Sequence, residues 1–188
     1  MIKLFSIGGL AAILVTAGLA FTDPPRAESD PDIKERMALM KDMGQAMRTL
    51  APIFKGTVAY DAEAVRSAAE TIRARSGKEM TRLFPEGSLS AQSEALPAIW
   101  TDWERFAMLA DELGFYATGL SAAAGNPRTD SGSQGGGTLG GQAATLGEQA
   151  GEAAPKDPEA LGKLSPDVAF SAMAQTCGTC HTSFRKDD

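Results

Sequence analysis

Two cysteines and the chain's single histidine stand together in the run Cys177-Gly178-Thr179-Cys180-His181. On a helix they occupy positions i, i+3 and i+4 and share one face. Several chemistries compete for such a set. A structural disulfide would close over only two intervening residues, a ring too small for an ordinary staple in an exported chain. A redox dithiol usually opens a helix inside a βαβ unit, whereas this run closes a helical pattern in a strand-poor chain. Structural zinc takes four ligands, and two thiols with one imidazole supply three. The chemistry that uses all three groups is addition of both thiols to the vinyl groups of a haem. The following imidazole is then held under the iron as a nitrogen ligand.

The elements that position this run read as helices. Aromatic residues are 6% of the chain, and Ala and Met are frequent while β-branched residues are few, which favours helix over sheet. A first helix is expected from Pro31, capped by Asp30, with Ile33, Met37, Met40, Gly44, Met47, Leu50 and Phe54 as its apolar face. Pro52 should kink or end it, and Lys55-Gly56 closes it. Asp61 caps a second helix with Val65, Ala68, Ala69 and Ile72 inward. Ser76-Gly77 weakens that helix, and Phe84 to Ser88 is a turn. A third helix is expected from Pro97 to Ala124, with Trp100, Trp103, Ala107, Ala110, Leu113, Ala117 and Leu120 on one side. A fourth opens at Ser165-Pro166-Asp167 and carries the cysteines.

Two stretches fall outside this pattern. Leu4 to Ala20 is an uncharged apolar run after Lys3, with small residues Gly18 and Ala20 at its exit. It reads as a secretory signal cleaved after Ala20; a retained membrane anchor is the competing reading. Gly125 to about Ala154 is mostly Gly, Ser, Gln, Thr and Ala, too poor in large apolar groups to offset its ordering entropy. The organisation is therefore 1–20 signal, 21–30 lead-in, 31–124 the first three helices, 125–162 a flexible Gly-rich insertion, and 163–188 the last helix. The whole chain carries a net charge of −6, and loss of Lys3 makes it more acidic. That excludes a basic nucleic-acid-binding face.

Several stretches, in this order and spacing, resemble the cytochrome c-prime family, the class II c-type cytochromes. They are Lys55-Gly56 with Tyr60-Asp61, Leu83-Phe84-Pro85 with Gly87-Ser88, Pro97-Ala98-Ile99-Trp100 with Asp102 and Phe106, and the terminal motif with Phe184-Arg185 behind it. Together they span 31–124 and 163–188. The long Gly-rich insertion is a departure from the family. The resemblance implies an all-α, antiparallel four-helix bundle with one covalent haem c on Cys177 and Cys180, and His181 as an iron ligand.

Counting back from Lys55-Gly56, the resemblance puts Met40 at the family's distal position and Arg36 one turn earlier. The run Leu39 to Gly44 is similar to low-spin members, in which such a methionine is the sixth ligand; Met37 and Met43 are nearby alternatives. Arg36 is by default a solvated helix charge, and by resemblance it approaches a haem propionate. The implied role is periplasmic single-electron transfer between redox protein partners, without enzymatic turnover and without a membrane after signal cleavage. If Met40 only covers the iron, the implied role is binding of nitric oxide or carbon monoxide. A homodimer through the first two helices is also implied. A haem-free dithiol oxidoreductase is the reading from outside the family.

Overall fold

The computed structural model describes residues 31–89, 93–128 and 157–186. The expected signal and lead-in, and residues 129–156 of the insertion, lie outside the described residues.

Helix α1 spans Pro31–Phe54. Pro52 has no N–H to donate into the ladder, and the helix stops two residues beyond it. The Pro52 carbonyl then accepts from the Thr57 and Val58 amides, and Gly56 turns the chain at φ 73°. Helix α2 spans Ala62–Ala74, and the Asp61 carboxylate accepts from the Glu63 and Ala64 amides, as its type predicts. After a four-residue helical turn, α3 (Lys78–Thr81), a loop leads to α4 (Ala98–Thr101) and α5 (Trp103–Ala123). The single third helix expected from sequence is broken at Asp102, which leaves helical geometry with φ −132° and ψ 52°. The break resets the helical phase. Trp103, expected on the inner side with Trp100, is therefore 40% exposed. Trp100 stays half-buried and donates its indole N–H to the Phe84 carbonyl. Helix α7, Pro166–Phe184, is capped by Ser165, with Pro166 at its first position.

Both ends of the expected insertion, 125–162, fall among the described residues and pack on the bundle. At its near end Asn126 donates to the Gly162 and Leu164 carbonyls, and Arg128 pairs with Asp167 at 2.6 Å. At its far end a helical turn, α6 (Pro158–Leu161), is capped by Asp157. Leu161 is completely buried. It seats on Gly119 of α5, where an added Cβ would lie 2.7 Å from the Leu161 Cβ. One leucine between polar residues gives little periodicity to detect, so composition hid this turn.

The long helices pack in sequence order: α1 on α2, α2 on α5, and α5 on α7. Their shared core includes Leu39, Leu50, Val65, Ile72, Phe106, Leu113, Leu120 and Met173. The fourth side of the bundle is different. The backbones of α1 and α7 scarcely approach each other, although they run antiparallel and are tied at both ends. At one end Phe54 stacks on Phe170, with ring centroids 4.1 Å apart.

Candidate functional site

The apolar face expected for α1 mixes two stripes, of which only one fills the bundle core. The buried residues are Ile33, Arg36, Leu39, Met43, Ala46, Leu50 and Ile53. Met40, Gly44, Met47 and Ala51 are only partly covered, and Met37 is 62% exposed. At 3.6 residues per turn this second stripe lies about a quarter turn from the first. It is on the side opposite Asp42, Gln45 and Thr49, which border α2, and on the side where Phe54 meets α7.

Helix α7 repeats the arrangement. Ala169, Ala172, Met173 and Thr176 are buried. Phe170 and Cys177 are partly covered, and His181 is exposed. Phe170, Cys177 and His181 fall at successive seven- and four-residue steps, so they run in one line. Cys180 lies beside them toward the core, half-buried. From the Phe54–Phe170 stack, two incompletely covered apolar lines thus run out along the α1–α7 seam. Met40 is fourteen residues back along α1, about 21 Å, and His181 eleven residues along α7, about 17 Å.

The far end of the seam is closed by an aromatic layer. Phe84 meets Phe106 edge-on at 4.9 Å, and Phe106 meets Phe184 edge-on at 5.4 Å. The Arg36 guanidinium lies 4.1 Å over the Phe84 ring. Arg36 is 5% exposed, which corrects its expectation as a solvated helix charge. Buried cations need partners. Arg36 Nε and Nη2 donate to the Leu83 carbonyl, and Nη2 also donates to Ser88 Oγ at 2.9 Å. Nη1 reaches Ser93 Oγ at 3.4 Å. These acceptors are 47 to 57 residues away in sequence, so no local spacing announces them.

The thiols are free and held in apolar surroundings. Burial pushes both up to about 11, and for Cys177 the neighbouring Cys180 adds to it. Redox dithiols work through a depressed thiol pKa, and the shift here runs the other way. The exposed His181 ring is held below the ordinary histidine value, first by the desolvation of its covered side and then by the Arg185 charge, with Glu94 opposing. A neutral imidazole is the form that binds iron.

The residues fit a haem. Two thiols, an imidazole and a thioether border a seam whose walls are apolar and incompletely covered. Gly44 presents open backbone to it: an added Cβ would meet only the end of the Arg48 side chain, at 3.5 Å. Gly178, between the cysteines, would meet nothing within 4 Å. Of the three methionines considered as ligands, Met43 belongs to the bundle core and Met37 projects outward, which leaves Met40 on the seam.

Comparisons with known proteins agree with this geometry. The family model described as Cytochrome C' matches residues 32–143. A relative from Agrobacterium fabrum, cytochrome c-556, is 31% identical over 82% of this chain and 80% of its own length. The structure of cytochrome c' from Rhodopseudomonas palustris superposes with a TM-score of 0.58 at 24% identity, covering 84% of this chain and 97% of that one. A nitric oxide complex of a variant cytochrome c prime from Alcaligenes xylosoxidans superposes at 0.54, with 22% identity over 83% and 94%. Members of this family are periplasmic, non-enzymatic haem proteins with one covalent haem c, and Cys177 and Cys180 are the thiols available for it here. The four-helix bundle, the sequence match and the thiol pair on the last helix lead to one conclusion: this chain belongs to the cytochrome c' family.

Proposed function

We propose that the chain carries single electrons in the periplasm, with His181 and Met40 as the two residues that would bind its iron. The observation that carries this reading is the position of Met40: with Met47 it is left half-covered on the seam, and of the two it lies nearer the level of His181. When bound, haem c supplies a one-electron couple between Fe(III) and Fe(II). The chain's own residues do the rest. Cys177 and Cys180 hold the group against loss, and His181 donates a nitrogen from α7. Met40 donates a thioether from α1, and histidine–methionine ligation raises the potential of a haem. The apolar walls from Met47 to Phe170 keep water from the macrocycle and further disfavour the more charged oxidised state. Redox proteins are the expected partners.

An optical spectrum of the periplasmic protein, oxidised and reduced, with and without carbon monoxide, tests this. Sharp, split reduced bands unaffected by carbon monoxide support six-coordinate iron and electron transfer. Broad bands that change with the gas would replace that reading by gas binding, the behaviour for which the Alcaligenes complex gives a precedent.

Two smaller proposals accompany this one. Residues 1–20 act as an export signal, so the periplasmic protein should begin at Phe21; an intact Met1 would mean a retained anchor. Among the described residues no helix is long and apolar enough to cross a membrane. A homodimer through α1 and α2 would cover the groove lined by Ala46, Thr49, Ala64 and Ala68, and sedimentation would measure it.

A further inference from the structure

We propose that Arg36 is a positioning residue that sets how closely α1 presents Met40 to the haem face of α7. This deepens the reading of Met40 as ligand. Arg36 sits one turn before Met40, and its guanidinium is bonded into the segment that follows α3 through Leu83, Ser88 and Ser93. The same segment grips the end of α7. Lys186 Nζ donates to the Ser93 carbonyl at 2.7 Å, and the Lys186 amide donates to the Glu94 carbonyl at 2.7 Å. The Leu96 amide donates to the Phe184 carbonyl at 2.9 Å.

One buried side chain therefore joins the turn that carries Met40 to a segment fastened three residues beyond His181. Beneath it, Phe84 continues the link through Phe106 to Phe184. The backbones of the two helices that would carry the iron ligands scarcely approach each other, and the Phe54–Phe170 stack joins them at the opposite end, so their separation at this end depends on this indirect tie. Planarity matters: the fork reaches a carbonyl and two hydroxyls while its face stacks on Phe84, which an ammonium cannot reproduce.

The test compares haem-loaded wild type, R36M and R36K for covalent haem, carbon monoxide binding to the reduced protein, and the pH dependence of midpoint potential. R36M keeps the stem and removes the donors. It should retain covalent haem and bind carbon monoxide at least tenfold faster than wild type, and R36K should fall between them. If R36M does not fold, S88A withdraws one acceptor and leaves the guanidinium in place; it should raise the rate by at least twofold, and an unchanged rate overturns the proposal. Unchanged carbon monoxide kinetics in R36M also overturn it. So does a change confined to the pH dependence of the potential, which would mean that Arg36 acts on a propionate. A wild type that itself binds carbon monoxide defeats the six-coordinate reading alone. R36M must then still accelerate binding at least threefold, and equal rates would sink the positioning role.

Discussion

The two faces of α1 are both apolar, yet they meet different fates. One carries Leu39, Met43, Ala46, Leu50 and Ile53 and is sealed against the other helices. The second, a quarter turn away, carries Met40, Gly44, Met47 and Ala51 and is only half-covered by protein. A surface helix of a simple bundle needs one apolar stripe. Two adjacent stripes, with one left half-covered on the side of α7, are what the proposed function expects of a helix that packs on its neighbours and on a cofactor together. The first stripe answers to stability, the second to coordination, and substitutions should separate them.

The largest effect belongs to the cofactor side. Cys177→Ser combined with Cys180→Ser should leave no haem that survives acid extraction, as mass spectrometry of the extracted protein would show. Retained covalent haem would remove the basis of the whole assignment. Next, Met40→Leu should convert an iron indifferent to carbon monoxide into one that binds it, while denaturant melting changes by less than about 1.5 kcal/mol, because the two side chains are similar in volume. A similar spectrum in wild type and variant would mean that Met40 lies near the iron without binding it.

The core side should behave in the opposite way. Leu50→Ala, at a fully buried position, should cost about 3 kcal/mol in denaturant melting of the haem protein and leave its reduced spectrum unchanged. A shifted spectrum would show that the two faces are not independent. A smaller loss, about 1–2 kcal/mol, is expected for Arg128→Met, which breaks a partly buried pair with Asp167 at the Phe54–Phe170 end of the seam. Carbon monoxide reactivity should not move, and if it does, the Phe54–Phe170 end is coupled to the iron site. The smallest effect is reserved for replacing 129–156 by a short Gly-Ser linker: stability within about 1 kcal/mol of the parent, since loop length enters only logarithmically.

Much of this was legible in the sequence. The Cys177–His181 spacing identifies the cofactor chemistry, and Asp61 and Ser165-Pro166 mark helix starts that the structure confirms. The periodicity from Ile33 to Phe54 was real but mixed the two faces, because a three- and four-residue rhythm does not say which stripe meets protein. Trp103 was misplaced because nothing local predicts that Asp102 leaves the helix. Arg36 was the least legible. Its burial is decided by Leu83, Ser88 and Ser93, brought in by the fold from far along the chain. Composition likewise concealed that Asn126, Arg128 and Leu161 pack on the bundle.

The most direct test of the account is proton NMR of the reduced protein, comparing wild type with Met40→Leu and Met43→Leu. An iron-bound methionine places its methyl group over the macrocycle and gives a resonance shifted far upfield. The account predicts that this signal is present in wild type and Met43→Leu and absent in Met40→Leu. Its absence from wild type, or its loss in Met43→Leu alone, would contradict the assignment of Met40 to the iron.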